Sequence, residues 1–194
     1  MIDTRTWNEV STEKFIGLPA GGYVCKIINV RLGKSQAGNE TLYCDIDIAE
    51  GDFIGHFAKR AVDLKKRFNV SWSGDACIKL GTQFNGKLSP WLKKFLQATE
   101  LSNAGFKCSN MLFDERNLVG KFCGFVFRQK ESKTLKDDGT RYINTVIDEP
   151  YTVDDIRNGK FTVPEIERYV EKNNPYSAAD PLKGEPVDDD DTPF

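Results

Sequence analysis

Histidine and paired cysteines are scarce in this chain. Its one histidine is His56, and its five cysteines are widely spaced and include no Cys-x-x-Cys. A structural zinc site takes four Cys or His ligands, so we expect no metal. A Ser-His or Cys-His nucleophile would have to use His56, so we expect no catalytic residue and no cofactor. An odd number of cysteines is typical of reduced thiols rather than of a disulfide framework.

Long apolar runs and glycine-rich phosphate loops are also missing. No stretch approaches the roughly 20 apolar residues of a membrane span, and residues 1–10 are too polar for a signal peptide. The sequence contains no Gly-x-x-x-x-Gly-Lys-Ser/Thr and no Gly-x-Gly-x-x-Gly motif. The lack of a membrane span and of a signal peptide predicts no membrane contact and a location in the cytoplasm, and the lack of both phosphate-binding motifs argues against an enzyme.

Charge is present in two opposed blocks. The 194 residues carry 27 Lys and Arg against 29 Asp and Glu, a formal net charge of −2. Residues 171–194 hold seven acids and two bases, whereas residues 59–141 hold 17 bases and 8 acids. A basic body and an acidic tail on one chain suggest a polyanionic partner for the body and an interaction role for the tail.

The first half of the body has the patterns of β-strands. Turn residues at 19–22 precede a strand over Tyr23–Leu32, which is rich in β-branched and aromatic residues. Alternation over Thr41–Ala49 predicts a second strand. Residues Phe53–Phe57 are predicted to begin a third. Residues 58–88 are ambiguous, because Phe57, Ala61, Leu64 and Phe68 have helical spacing whereas residues 69–74 are typical of a loop.

A helix and a hairpin follow. Ser89-Pro90 predicts a helix start, with Trp91 and Phe95 on its apolar face. Strands over Lys121–Arg128 and Arg141–Ile147 flank an Asp-Asp-Gly-Thr turn. Three strands, a helix and a hairpin are the order of an OB-fold. We therefore predict a mainly β fold, a five-stranded OB barrel with one helix between strands 3 and 4. The predicted domains are an OB domain at 1–170 and a disordered acidic tail at 171–194.

Basic residues interleaved with aromatic rings point to single-stranded nucleic acid. Cations neutralise phosphates in a groove, and exposed rings stack on bases without reading sequence. OB-folds bind oligonucleotides on the strand 2–3 face and on loops 1–2 and 4–5. The candidate DNA-binding residues are Arg31, Lys34, Tyr43, Lys59, Arg60, Lys65, Lys66, Arg67, Trp72, Phe122, Phe127, Arg128, Lys130, Lys133, Lys136, Arg141 and Tyr142.

Rings on barrel strands are core residues more often than stacking platforms. Alternation puts Phe127 on one face of its strand and Phe122 on the other, so at most one of them faces DNA. Trp72, which follows a basic cluster, is the strongest loop candidate, and Tyr142 beside Arg141 is the next.

Clustered acids offer an alternative. Asp45, Asp47, Glu50 and Asp52 could hold Mg²⁺ in a nuclease. The simpler interpretation is that Asp45 and Asp47 face solvent, because they alternate with apolar residues on a strand.

The tail ends in a distinctive peptide. Four consecutive acids are followed by Thr192 and a terminal Pro-Phe. A solubilising tail has no need of a terminal aromatic residue, so we expect a docking peptide whose ring enters an apolar pocket of a partner protein. The candidate partner-binding residues are Asp188, Asp189, Asp190, Asp191, Pro193 and Phe194.

These residues carry a family resemblance. The last seven resemble the acidic tip of bacterial single-stranded DNA-binding proteins, with Thr192 in place of Ile. The body is similar instead to OB-fold single-stranded DNA-binding proteins of phages that infect Gram-positive bacteria. The similar segments are Pro19–Ile27, Asp47–Phe53, Glu100–Phe106, Leu118–Lys121 and Asp154–Phe161.

The resemblance implies an accessory protein of phage DNA replication and recombination in the cytoplasm of a bacterial host. Such a protein coats single strands, recruits replication and recombination proteins through its tip, and has a tip that competes with DNA for the basic groove. A homo-oligomer is left open, and so is DNA against RNA preference. The alternatives are the Mg²⁺-dependent nuclease and a module whose basic surface binds RNA or a protein.

Overall fold

The fold is built mainly from antiparallel strands. The computed structural model describes residues 17–68, 76–109 and 113–170, without the side chains of 63–68. The strands are β1 (Gly21–Lys34), β2 (Glu40–Ile48), β3 (Cys77–Gly81), β4 (Gln83–Phe84), β5 (Lys87–Leu88), β6 (Phe122–Leu135) and β7 (Arg141–Tyr151). The helices are α1 (His56–Phe68), α2 (Pro90–Ser102) and α3 (Val153–Arg157), with a 3₁₀ turn at Glu115–Leu118.

Five strands form one sheet with β1 at its centre. The order is β3-β2-β1-β6-β7, and every pairing is antiparallel. In the described residues β3 and β7 are therefore the two edges of this sheet. Strands β4 and β5 form a separate hairpin. The mainly β fold class, helix α2 and the β6–β7 hairpin are confirmed.

One face of the sheet holds the main core. Alternate residues of β2 (Leu42, Cys44, Ile46 and Ile48) are buried against Phe95 of α2 and the inward residues of the neighbouring strands. Helix α2 begins at Pro90, as the Ser-Pro pair predicts, and buries its Leu92, Phe95 and Ala98 face. Burying a side chain such as Leu92 or Phe95 contributes about 1.5–3 kcal/mol to the stability of the fold.

The prediction that a third strand begins at Phe53–Phe57 is wrong. Residues 51–55 form turns, and helix α1 begins at His56, so the third strand is β3, some 20 residues later. The cause lies outside the segment. The Asp47 carboxylate accepts hydrogen bonds from the backbone N–H groups of Phe57 (2.9 Å) and Ala58 (3.2 Å). It thereby satisfies donors that a helix N-terminus leaves free.

Asp45 and Asp47 are also buried, contrary to the expectation that they face solvent. They are 8% and 7% exposed. Their alternation with the core residues of β2 is as predicted, but each carboxylate is covered by the groups that donate to it. Asn29 and Arg31 donate to Asp45, and the backbone of α1 donates to Asp47.

The opposite face of the sheet carries a smaller cluster. Val24 of β1 and Val126 of β6 pack against Val153 and Ile156 of α3. Helix α3 lies so close to β6 that a Cβ at Gly124 would stand 2.8 Å from the Thr152 carbonyl oxygen. Beyond this cover, Arg31 of β1 and Lys79 of β3 are exposed and Tyr43 of β2 is half-buried, whereas the outward Thr41, Asp45 and Asp47 of β2 are buried.

Candidate nucleic-acid interface

Three outward side chains form a row across β1, β2 and β3. Arg31 pairs with Tyr43, and Tyr43 pairs with Lys79. Directly paired residues of antiparallel strands share a face, and neighbouring strands lie about 4.8 Å apart, so the row spans roughly 10 Å. We call these residues, with the next row of Gly33, Thr41 and Gly81, the three-strand face. It places an aromatic ring between two cations.

The ring of Tyr43 is held in one orientation. Its hydroxyl donates to the Lys34 carbonyl oxygen (3.2 Å), and the Arg31 guanidinium lies 4.9 Å from the ring centroid. A Cβ at Gly33 would lie 3.2 Å from the ring, so the absence of a side chain there makes room for it. The half-buried ring is thus oriented before any ligand arrives.

Arg31 is anchored but still accessible. Its guanidinium pairs with Asp45 at 3.3 Å, yet its side chain stays 53% exposed while that of Asp45 is 11% exposed. A second guanidinium nitrogen lies 3.9 Å from the sulfur of Cys77. The pKa of the Cys77 thiol is raised to about 11 by partial burial and by its hydrogen bond with Asp45. The Arg31 guanidinium therefore remains accessible from solvent while Asp45 holds it.

Lys79 is a third member of the row that the sequence patterns do not indicate. It is exposed and occupies the middle of β3, between the buried Ile78 and Leu80. The alternation Cys-Ile-Lys-Leu was the signal that could have found it. The ambiguity of residues 58–88 hid that signal, because a five-residue strand is too short to show a clear period.

The basic run after β2 lies on a helix. Lys59 is exposed on α1 and its ammonium donates to the Ile54 carbonyl oxygen (3.2 Å), while Arg60 is half-buried. The backbone of α1 includes Lys65, Lys66 and Arg67, whose side chains are outside the description. Trp72 also lies outside the described residues.

The β6–β7 hairpin carries a second set of cations. Lys133 and Lys136 are exposed near its tip, and the Lys136 ammonium lies 5.7 Å from the centroid of the Tyr142 ring. Tyr142 is 50% exposed. The structure therefore brings these three predicted residues onto one element.

Two other cations of the hairpin form ion pairs with acidic side chains. Arg128 and Lys130 both pair with Glu167, the second at 2.8 Å. Arg128 Nε also lies 2.9 Å from an oxygen of Asp148, at an angle that makes an ion pair without a hydrogen bond. Hydrogen bonds from Lys130 and Arg128 lower the pKa of Glu167. These cations hold a chain segment in place as the structure stands.

That segment, residues 165–169, we call the strap. It lies along β6 beyond Phe127, where β1 no longer pairs. Backbone hydrogen bonds join Glu131 N–H to the Glu167 carbonyl (2.9 Å) and Glu167 N–H to the Gln129 carbonyl (3.0 Å). Arg141 stacks 4.1 Å from the centroid of the Tyr169 ring and donates to the Lys133 carbonyl at 2.6 Å. The strap thus covers an otherwise open strand edge.

The two phenylalanines differ in the way their alternation predicts. Phe127 is fully buried in the main core and stacks on Phe57, 6.0 Å between ring centroids. It is therefore removed from the candidate interface. Phe122 is 38% exposed on the other face, at the side of the sheet that carries α3. It is separated from the Arg31–Tyr43–Lys79 row by the cover of the outer face.

Three of the four acids of the nuclease alternative have separate structural partners, and the fourth, Asp52, is exposed. Asp45 holds Arg31, Asp47 caps α1, and Glu50 binds Arg157 through contacts of 2.5 and 3.1 Å. The Arg157 hydrogen bonds lower the pKa of Glu50. Within residues 17–68, 76–109 and 113–170, no three Asp, Glu, His or Cys side chains come together as a metal site.

The single histidine lies in the interior of the protein. His56 is buried at the start of α1, with its ring 5.1 Å from that of Phe57 and 6.0 Å from that of Phe53. The tip residues Asp188–Asp191, Pro193 and Phe194 lie outside the described residues. In the part of the chain that the structure describes, no helix has the length and apolar character needed to cross a membrane.

Comparison of the chain with known protein families finds no matching family, and comparison with curated protein sequences finds no match.

Proposed function

We propose that this chain is a non-catalytic, sequence-nonspecific single-stranded DNA-binding protein that acts in phage DNA replication and recombination. The main support is the Arg31–Tyr43–Lys79 row. A ring that is fixed in orientation offers a stacking surface to any base, and the two flanking cations meet phosphates on either side. No base-edge code is needed for such contacts, so they suit a protein that coats any sequence.

The topology supports an OB-type barrel as the scaffold. Strands β1, β2 and β3 form a meander, the chain then passes through α2, and β6 pairs with β1. This connection is similar to that of an OB-fold, in which the strand 2–3 face and loops 1–2 and 4–5 bind oligonucleotides. In the proposed barrel, Tyr43 and Lys79 would lie on the strand 2–3 face, and the tip of the β6–β7 hairpin would be loop 4–5.

The acidic tail is proposed to recruit partners. Phe194 would fill an apolar pocket of a replication or recombination protein, and Asp188–Asp191 would face a basic rim around that pocket. The body of the protein, residues 1–170, would meanwhile stay bound to single-stranded DNA. Removing residues 188–194 is expected to abolish partner capture and to leave DNA binding unchanged or tighter. Weaker DNA binding after this deletion would contradict the proposed division of labour.

Binding and cleavage are tested with one labelled oligo-dT. Fluorescence anisotropy at several salt concentrations is expected to show affinity that falls steeply with salt and exceeds the affinity for duplex DNA of equal length. Equal or tighter duplex binding would contradict the proposal, and RNA displacing the DNA would favour the RNA-binding alternative. The same oligonucleotide incubated with Mg²⁺ is expected to stay intact. Cleavage lost in Glu50→Gln or Asp52→Asn would show a nuclease instead.

A further inference from the structure

A short hairpin projects between β3 and α2. It consists of β4, the turn Asn85-Gly86 and β5, with Gln83 paired to Leu88 and Phe84 paired to Lys87. We call it the finger. Asn85 has φ 51° and Gly86 has φ 71°, the positive pair that a two-residue type I′ turn requires and that Asn-Gly favours. The sequence therefore specifies a tight turn here and not a loose loop.

The base of the finger is fixed to the body. Thr82 N–H donates to the Glu40 carbonyl (3.0 Å), and the Thr82 hydroxyl donates to the Glu40 carboxylate (2.9 Å). Ser89 N–H, at the start of α2, donates to the Thr82 carbonyl (3.1 Å). Both ends of the finger are thus tied to regular elements, so its side chains are presented at a defined position.

The two faces of the finger differ. Leu88 turns toward the body, where it lines a groove of about 380 Å³ together with Leu32 and Leu92. Because paired residues share a face and neighbours along a strand alternate, Phe84 and Lys87 lie together on the other side. Phe84 is 64% exposed and Lys87 is exposed. In the described residues no other ring and no cation contacts the Phe84 ring face.

The finger continues the three-strand face. Strand β3 carries Lys79, ends at Gly81, and passes through Thr82 directly into β4. Gly81 pairs with Thr41, which in turn pairs with Gly33. The Tyr43 ring lies over Gly33 and Thr41 is 5% exposed, so this row connects the ring directly to the base of the finger.

We propose that the finger is a further nucleotide-binding site, in which Phe84 stacks on a base and Lys87 contacts a phosphate of the single strand leaving the three-strand face. The inference rests on the proposed single-strand binding. A nucleotide fits this site because Lys87 lies beside the Phe84 ring on the same face of the finger. The finger also continues from the three-strand face, which already combines the Tyr43 ring with Arg31 and Lys79. Binding of a protein partner to the finger would not require the finger to adjoin the three-strand face.

The test compares oligonucleotides of two lengths. We use dT of about 5 and about 15 nucleotides, near the ends of the site-size range of a single OB domain. Phe84→Ala is expected to weaken binding of the longer oligonucleotide by roughly fivefold or more and to leave the shorter one unchanged. Phe84→Trp is expected to keep wild-type affinity and to add fluorescence that the longer oligonucleotide quenches. Thermal unfolding confirms that each variant is folded, as expected for an exposed side chain.

The outcomes separate this inference from the proposed function. If wild-type protein binds neither oligonucleotide, the proposed function fails and the finger site fails with it. If Tyr43→Ala weakens binding while Phe84→Ala matches wild type at both lengths, the function stands and the finger site is refuted. A change in oligomeric state on Phe84→Ala, with DNA binding unchanged, would show that the ring contacts a second copy and would also refute the site.

Discussion

The three-strand face and the β6–β7 hairpin contain similar residues, but their cations differ in how far acidic and aromatic side chains already occupy them. Both combine tyrosine with lysine and arginine. On the three-strand face Lys79 is exposed, and Arg31 keeps more than half of its side chain exposed beside one acid. On the hairpin Arg128 and Lys130 are held by Glu167, and Arg141 lies against the Tyr169 ring. Cations that are equally basic in sequence are therefore unequally available.

The difference comes from distant parts of the chain. Glu167 follows Arg128 by 39 residues, and it reaches the hairpin because the strap pairs with the free edge of β6. Asp45, by contrast, is nearly buried and orients Arg31 without covering it. Availability of a cation for phosphate thus depends on which acid the fold brings to it, and local basic composition does not report this.

The largest effect is expected from the stacking ring. Tyr43→Ala should weaken oligo-dT binding by roughly 5- to 150-fold, since one stacked base is worth about 1–3 kcal/mol. Tyr142→Ala on the hairpin should cost less, because nothing in the described contacts fixes that ring except Lys136. Anisotropy titration measures both. Tyr43→Phe is the matched control: it keeps the ring and loses only the hydrogen bond to Lys34, so it should weaken binding far less than Tyr43→Ala does. A Tyr142 effect larger than the Tyr43 effect would reverse the comparison.

Next in size is the removal of single cations. Lys79→Ala should reduce the salt dependence of binding by about 0.7 in the slope of log K against log salt, the value for one phosphate contact on a single strand. Lys130→Ala should change this slope less, because Glu167 already neutralises that ammonium. Titrations across a salt series give the slopes. Lys160→Ala, an exposed lysine next to α3, is the control, and equal slopes for the Lys79 and Lys130 variants would remove the distinction.

The hairpin cations can be released by a single substitution. Glu167→Gln removes the carboxylate that pairs with Arg128 and Lys130 and leaves the backbone bonds of the strap. Affinity for oligo-dT at low salt should rise a few-fold, with a steeper salt dependence, as freed cations become available. Unchanged affinity would mean that this side of the hairpin lies away from the DNA.

The smallest effect concerns pH. The pKa of Glu167 is lowered by hydrogen bonds from Lys130 and Arg128, and that of Glu131 by hydrogen bonds from Arg168 and the Tyr169 backbone. A lowered pKa stabilises the fold above the ordinary value of 4.5, and this contribution disappears as pH falls through the lowered value. Because Glu167 is 40% exposed, its contribution should be below about 1 kcal/mol.

Denaturant titrations of wild type and Glu167→Gln measure this contribution. The wild type should be the more stable near neutral pH, and the difference should vanish in acid below the lowered pKa. A difference that persists at that pH would assign the effect to packing of the strap and not to charge.

Local patterns in the sequence predicted the long elements. Strands β1 and β2, helix α2 and the β6–β7 hairpin follow from alternation, from Ser89-Pro90 and from a turn with Gly139 at φ 80°. Helix α1 is indicated by the helical spacing of Phe57 and Ala61, but its start is not. Its N-terminal donors are satisfied by Asp47, which precedes the helix by nine residues. Short β3 was hidden in the same ambiguous stretch.

The candidate site was predictable in part. Tyr43 and Arg31 were named from the strand pattern and lie side by side. Lys79 joins them only through the β2–β3 register, which sequence patterns do not supply. Phe127 was named although alternation made it one of two incompatible choices, and its zero exposure decides between them. The ion pairs of Arg128 and Lys130 with Glu167 could not be predicted, because they depend on the tertiary pairing of β6 with the strap, some 40 residues away.

Cysteine footprinting gives the most direct test of whether a single strand lies on the three-strand face. All five cysteines are in the described part of the chain, and four of them are buried, whereas Cys77 is half-buried opposite Asp45, next to the Arg31–Tyr43–Lys79 row. The alkylation rate of Cys77 is followed by mass spectrometry with and without saturating oligo-dT, and anisotropy confirms binding in the same sample. We expect bound DNA to slow the modification of Cys77 strongly. An unchanged rate with DNA bound would place the single strand elsewhere and contradict the proposed binding at the three-strand face.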